Sequence, residues 1–352
     1  MPPILFFFII IALYAIIFVV KGLEISKAYY EEFGAPMIKE QFPELEPKIA
    51  VGLIGSGSEC FGFDDRISTD HDFDPGFLMF ISDEIDEDTK FKLERAYAKL
   101  PREYKGYTRE IMSPVGGNRR GVKRISDFLR EKTGAIDGNL SVSDWFSIPE
   151  ESLAELTNGE IWRDDSKIIS GIRLRLSTFP EDIKLKKIAG ELLMMAQSGQ
   201  YNYERCVAHN EFGAAKLALY EFVKASMHVA FLLNEVYMQF YKWRFRALRD
   251  LSWPKSFKIK SELNYISGIE DDSFVEVRFE EKLDALLSVT DEKIINDKVN
   301  SDIELIARTF IERLKNDGLS ERNEVYLERH AYEVNNRIKN IDIRNMNILA
   351  AV

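Results

Sequence analysis

Cysteine is nearly missing from this chain. Cys60 and Cys206 are the only two in 352 residues, too few for a disulfide framework and without the Cys-x-x-Cys spacing of zinc or dithiol chemistry. A reducing compartment fits such usage. Histidine is almost as scarce: His71, His209, His228 and His330 are scattered and form no metal or nucleophile constellation. No serine can be paired with a histidine base from sequence, so a hydrolase triad has no support. An excess of positive charge is also lacking. The formal net charge is -11 and the pI is near 5.2, which argues against a phosphate-backbone partner, and no nucleic acid is expected. There are no internal repeats or low-complexity tracts. What is present is 45% hydrophobic and 12% aromatic residues, which excludes general disorder, and 352 residues are long enough for two domains and a sizeable core.

One apolar run stands out. Residues 4–20 carry no charge and are just long enough to span a bilayer. No basic region precedes the run and no small-x-small site follows it, so a cleavable signal is not indicated. As an anchor, it would have Lys21 and Lys27 on its C-terminal side and place the main domain in the cytoplasm. The alternative is that these residues do not belong to the natural protein, Val20 being a misread GTG start. A peptide covering residues 5–18 in purified protein would refute that alternative.

The chemistry-bearing segment is residues 55–76, Gly-Ser-Gly-Ser-Glu-Cys-Phe-Gly-Phe-Asp-Asp-Arg-Ile-Ser-Thr-Asp-His-Asp-Phe-Asp-Pro-Gly. It lies between two apolar runs, Ile49 to Ile54 and Phe77 to Ile81, that read as strands. Small residues let backbone N–H groups and serine hydroxyls point at phosphate oxygens. This makes Gly55, Ser56, Gly57 and Ser58 the candidate phosphate-binding residues, with Gly57 and Ser58 the preferred pair. Asp70 and Asp72, two apart on an extended segment, project from one face and can share magnesium, a hard cation that prefers carboxylate oxygens. His71 points the other way.

Eleven residues separate Ser58 from Asp70, and thirteen separate Ser56 from it. Both spacings resemble the glycine-serine to Asp-x-Asp pattern of the DNA polymerase beta-like nucleotidyltransferase superfamily. The resemblance extends to a narrower bacterial family catalogued as a domain of unknown function. It is carried by Lys21-Gly-Leu-Glu-Ile-Ser, Gly62-Phe-Asp-Asp, Ser68-Thr-Asp-His-Asp, Gly159-Glu-Ile-Trp-Arg-Asp, Tyr201-Asn-Tyr-Glu-Arg, Phe231-Leu-Leu-Asn, Tyr241-Lys-Trp and Arg344-Asn-Met-Asn. Members of that family start close to the Lys-Gly-Leu-Glu segment. The resemblance implies an α+β fold in which a nucleotidyltransferase mixed β-sheet domain is followed by an α-helical bundle closing the active-site cleft, as in kanamycin nucleotidyltransferase. It further implies an NTP substrate, two Mg2+ ions held by Asp70 and Asp72, and a third carboxylate acting as base.

The third acid has no clear position in the sequence. The strand-like run Gly121 to Ile125 offers none. Glu160 and Asp164 follow Gly159 and share a face by alternation, while Asp164 also begins a good turn, Asp-Asp-Ser; Asp164 is carried as the catalytic candidate beside its structural reading. The cluster Asn118-Arg-Arg-Gly-Val-Lys-Arg is read either as a solvated loop and strand edge or as a contact to a triphosphate. Expected boundaries are residues 1–20 for the apolar segment, 21–178 for the sheet domain and 179–352 for the helical domain. Expected helices are Leu23 to Phe33, Met37 to Phe42, Asp86 to Leu100 and Ser147 to Leu156, then one with Pro180 in its first turn and Leu185, Ile188, Leu192 and Leu193 at helical spacing, Glu211 to Asn234, one around Val299 to Leu314 with Gly318 as its stop, and one over Asn323 to Lys339. Gly159 to Leu176 is read as a hairpin, Tyr107 to Asn118 as a rim loop, and the sheet as having helices on one face. In the bundle, Lys242 and Arg244 are the candidate cations for the triphosphate, with Trp243 inward, and Asn234 is read as pointing into the cleft. The expected activity is transfer of a nucleoside monophosphate to a hydroxyl of a small molecule or protein. The alternatives are a non-catalytic nucleotide sensor and the nucleotidyltransferase half of a toxin-antitoxin pair.

Overall fold

The computed structural model describes residues 21–65, 67, 74–109, 119–260, 274–290 and 297–352. The apolar run 4–20, the triplet Asp70-His71-Asp72 and residues 110–118 of the expected rim loop lie outside the described residues. The protein is of mixed α+β class. The chain divides into two compact units, one taking the chain up to Asn139 together with Glu155–Ser177, the other Leu140–Ala154 together with Thr178–Val352.

The first unit is built on a four-stranded mixed sheet in the order β5-β2-β1-β6, with β1 Ala50–Leu53, β2 Leu78–Ile81, β5 Gly121–Arg124 and β6 Glu160–Arg163. β1 pairs antiparallel with β2 and β6, and β2 pairs parallel with β5. A small hairpin, β3 Glu103–Tyr104 and β4 Tyr107–Thr108, stands apart. Before the sheet come α1 Gly22–Tyr29, a π turn Tyr30–Gly34 and α2 Ala35–Gln41, which run on as one helix where two were expected. A Cβ at Gly34 would collide with the Phe77 ring, so glycine lets this helix lie close to β2.

α3 Glu87–Ala98 follows β2 and is capped by Asp86, which accepts from Thr89 N at 2.9 Å. α1, α2 and α3 cover one sheet face through Tyr29, Tyr30, Ile38, Val51, Phe77, Met79, Ile81, Leu93 and Tyr97. The other face is covered too, since Phe80 meets Phe128 of α4 Ile125–Thr133 edge-on at 5.2 Å. The expectation of helices on one face fails because β2 is apolar at every position, which is the pattern of a strand buried on both sides. A second correction concerns Gly159 to Leu176: β6 is followed by α7 Ile168–Arg175 and forms no hairpin.

The second unit is mostly helical. It contains α5 Val142–Ser147, the N-terminal part of α6 Glu150–Thr157, α8 Glu181–Met195, a π turn Ala196–Tyr203, α9 Glu204–Ala208, α10 Phe212–Leu233, α11 Arg244–Leu248, α12 Phe279–Leu287, α13 Asp297–Asn316, α14 Leu327–Asn336 and α15 Ile341–Asn345. Ile188, Leu192, Phe222, Val229, Phe231, Ile306, Phe310 and Val334 are buried in it. Gly199 admits the Phe222 ring, which a Cβ would strike. The antiparallel hairpin of β7 Ser256–Lys260 and β8 Phe274–Arg278 was not expected in this region. Among the described residues, no helix is long and apolar enough to cross a membrane.

Candidate functional site

The pairing register decides what can gather near the glycine-serine turn. Leu53, at the C-terminal end of β1, pairs with Glu160 at the N-terminal end of β6; Gly52 pairs with Leu78 at the start of β2; Leu78 pairs with Gly121 at the start of β5. One end of the sheet therefore emits the Gly55–Ser58 turn, receives the chain just before β2, and carries Arg119-Arg120 and Gly159-Glu160.

The turn is fixed from two sides. Gly55 N donates to Asn158 Oδ1 at 2.9 Å and Asn158 Nδ2 donates to Gly55 O at 2.7 Å. Gly55 has φ +124°, open to glycine and strained for other residues. Gly159 N donates to Cys60 O at 2.9 Å, and Gly159 sits at φ +57° where a Cβ would strike Leu53 O. Ser56 is exposed, Ser58 half-buried, Gly55 and Gly57 buried. The short turn Glu59–Phe61 then folds back, with Cys60 N donating to Gly57 O and Phe61 N and Phe63 N to Ser58 O.

Electrostatically the loop is centred on Glu59. Its Oε1 accepts from Arg119 Nη2 at 2.7 Å and Arg120 Nη2 at 3.0 Å, and Arg120 reaches Asp74 Oδ1 at 3.5 Å. Burial pushes the Glu59 carboxyl up, but the guanidinium charges of Arg120 and Arg119 outweigh it and hold the group below its ordinary value. Arg120 is buried as well, and Glu59 and Asp74 more than offset that burial, keeping it firmly charged. Burial, with the Glu59 charge second, pushes the Cys60 thiol up to about 12, so this cysteine is a small packing group. The basic cluster does run into an edge strand, β5, but its charges are engaged: beyond Arg119 and Arg120, Lys123 pairs with Glu131, and Arg124 donates to the carbonyls of Ser82 and Ile85 and to Glu87.

Several of the sequence stretches singled out above meet here. Asp64 of Gly62-Phe-Asp-Asp accepts from Gly22 N at 2.7 Å and Lys21 Nζ at 3.2 Å, pinning the first helix to the loop. In β6, Trp162 Nε1 donates to Glu160 Oε2 at 2.9 Å and its ring stacks on Tyr30. Asp164 lies just past β6; Ser166 Oγ donates to its Oδ1 at 3.0 Å and Ser170 N to its Oδ2 at 2.8 Å, so in this conformation it tethers the first turn of α7. Asp70, His71 and Asp72 lie outside the described residues, four to two positions before Asp74. Among the described residues, no group of three His, Cys, Asp or Glu side chains could hold a metal ion.

Lys242 and Arg244 belong to the second unit. Lys242 Nζ lies 4.7 Å from the Trp243 ring, which Arg246 also approaches, and Arg244 Nε donates to Gln239 O at 3.0 Å. Asn234 is a helix terminator: its Nδ2 donates to Ala230 O and Trp253 O and its Oδ1 accepts from Ser252 Oγ and Trp253 N. A buried cluster missed from sequence lies between α6, α8 and α10, where the His228 ring meets Glu191 Oε1 at 2.6 Å and Glu150 Oε1 at 2.5 Å. Lys187 flanks Glu150 at 3.6 Å and Met238 N donates to Glu150 Oε2. Burial pushes His228 down, but the two carboxylates outweigh it and raise it to about 9. A second buried network pairs Ser320 with His330 at 2.7 Å and with Glu333 at 2.6 Å. Both Ser320 and His330 are buried, which makes the pair a tether between α13 and α14 and no exposed nucleophile.

Residues 145–244 match the model of a domain of unknown function (DUF4037), a stretch that takes in Glu150, Lys187, Glu191, His228, Lys242 and Arg244. No curated protein matches the chain.

Proposed function

We propose that this protein is a magnesium-dependent nucleotidyltransferase of the DNA polymerase beta-like kind, moving a nucleoside monophosphate from an NTP to a hydroxyl of a small molecule or protein in the cytoplasm. The observation that carries the proposal is the convergence, at one end of the sheet, of the Gly55–Ser58 turn, the chain entering β2 and the Arg119-Arg120 pair. Transfer of this kind needs phosphate-binding donors, metal-binding acids and cations in one place.

In this reading the backbone N–H groups and hydroxyls of Gly55, Ser56, Gly57 and Ser58 orient the phosphates. Asp70 and Asp72 offer only hard carboxylate oxygens, a donor set that fits magnesium; when bound, the metal neutralises charge on the attacking and leaving oxygens. The acceptor oxygen attacks the α-phosphorus, the bond to the bridging oxygen breaks, and pyrophosphate leaves with the electron pair. The acceptor proton passes to a base of the site. Asp164, the sequence candidate for that base, has both oxygens engaged by Ser166 and Ser170. That engagement favours a second reading, a nucleotide-binding sensor without turnover.

The test is to incubate the full-length chain with magnesium, each labelled NTP and a metabolite extract, beside Asp70→Asn and Asp72→Asn variants. A labelled adduct present with the wild type and absent with both variants is the expected outcome. Binding without an adduct favours the sensor, and no NTP binding contradicts both readings.

A further inference from the structure

The base of the β7–β8 hairpin encloses a cavity. Ser256 at the start of β7 pairs with Arg278 at the end of β8, and Phe279 N, at the start of α12, donates to Lys255 O at 3.0 Å. That closure gathers Lys255, Arg278 and Glu280, and Arg249, which follows α11, reaches Glu280 as well. The cavity they line measures about 390 Å³, within the roughly 300–1,000 Å³ of small-ligand sites, and it lies wholly in the second unit. Its apolar lining, Leu248, Leu251 and Pro254, is buried.

Charge around the cavity runs against that of the chain. Three cations, Arg249, Lys255 and Arg278, line it with two carboxylates, Glu276 and Glu280, in a protein of net charge -11. Glu276 accepts from Ser256 Oγ. Glu280 is the buried one, 6% exposed at its side chain, and its Oε1 meets Arg278 Nε at 2.7 Å and Arg249 Nε at 3.5 Å. Both guanidiniums are thus held by Nε while their side chains stay about half exposed. Among the described residues, neither donates from its terminal nitrogens to the protein, and the Lys255 ammonium pairs with no carboxylate.

We propose that this cavity binds a small organic anion, its phosphate or carboxylate head taken by Arg249, Lys255 and Arg278 and its apolar body laid against Leu248, Leu251 and Pro254, with Glu280 orienting the two guanidiniums. A guanidinium anchored through Nε keeps its terminal N–H groups for an oxyanion, and an ammonium adds a compact charge beside it. Glu280 fixes the direction of both forks, so little side-chain freedom is lost when the anion arrives. An inorganic ion would leave the apolar lining unused, whereas a ligand with an apolar body removes that surface from water. The site is independent of the nucleotidyltransferase reading, which rests on the glycine-serine turn of the first unit.

The experiment acetylates the full-length chain with acetic anhydride, follows Lys255 by peptide mass, and titrates phenyl phosphate, benzoate, inorganic phosphate and benzyl alcohol as protecting probes. Reading the rate at Lys255 itself separates this cavity from any anion bound elsewhere. At least one of the two aromatic anions is expected to slow the modification, at a concentration roughly tenfold or more below that needed with inorganic phosphate, and benzyl alcohol is expected to have no effect. Which aromatic anion protects at the lower concentration assigns the head as phosphate or carboxylate. Arg249→Gln, which leaves Arg278 on Glu280, should raise the protecting concentration about threefold to tenfold, and Arg249→Lys should recover part of that loss because it keeps the charge without the fork. Protection unchanged in Arg249→Gln, inorganic phosphate as effective as the aromatic anions, or no protection by any anion overturns the inference. Each of these results leaves the nucleotidyltransferase reading standing.

Discussion

Glu59 and Glu150 are two buried carboxylates kept ionised by opposite means, one by a pair of arginines and the other by a histidine with a lysine behind it. The second case gives a pH prediction. His228 is raised from 6.5 to about 9 by Glu150 and Glu191, so its charged form is favoured by folding. That contribution is fully present below about pH 6.5 and is lost as pH rises through about 9. His228→Gln should cost about 3 kcal/mol at pH 6, because it strips a buried partner from Glu150 and Glu191, and the gap in urea midpoint between variant and wild type should narrow at pH 10. A gap that is equal at the two pH values would contradict the assignment. Cys60 supplies a second check. With its thiol buried and pushed to about 12, it should react with iodoacetamide in the native protein far more slowly than the half-exposed Cys206, as read by peptide mass. Neither pairing was legible in the sequence, since Glu59 lies 60 positions from Arg119 and Glu150 lies 78 positions from His228, and contacts at such separations leave no local pattern. The Gly-Ser turn was legible because its conformational demand is carried by its own residues.

Elements with strong end signals were read well and elements without them were not. Asp86 before α3, Pro180 before α8 and Gly318 after α13 each mark a helix end in the sequence, and the structure puts helices there. Ile168 to Arg175 misled because Ile172-Arg-Leu-Arg alternates like a strand, while Ile169, Ile172 and Leu176 are the buried positions, a helical spacing. The β7–β8 hairpin was missed although Phe274-Val-Glu-Val-Arg alternates, since five residues set in a helical context carry little weight. Two substitutions test how elements are held. Gly159→Ala adds a Cβ at positive φ against Leu53 O and should destabilise the first unit by more than about 1 kcal/mol, seen as a lower urea midpoint; an unchanged midpoint would show that β6 is not pinned there. Lys186 is fully buried in α8 and donates to Asn335 Oδ1 and to the carbonyls of Arg344 and Met346 at 2.7–3.3 Å. Lys186→Met takes the ammonium donor from those acceptors, leaving Arg344 O only its bond from Asn335 Nδ2 at 3.2 Å, and should speed amide exchange selectively in residues 344–352.

At the scale of the whole molecule, the family resemblance implied the α+β class and a fold of two units is what the length allows, but the assignment of Leu140–Ala154 to the second unit depends on contacts far apart in the chain. The net charge of -11 belongs to this scale as well. It predicts no salt-dependent retention of single- or double-stranded DNA at 50 mM salt, since phosphate-backbone binders gain their affinity from a surplus of surface cations. The functional claim likewise rests on the molecule as a whole, on four strands delivering their loops to one end of a sheet. The most direct measurement is magnesium-dependent release of pyrophosphate from labelled NTP by the full-length chain, with the Asp70→Asn, Asp72→Asn double variant alongside. Release by wild type that disappears in the double variant is the result predicted; equal release from both, or none from either across all four NTPs with acceptor extract present, would contradict the account.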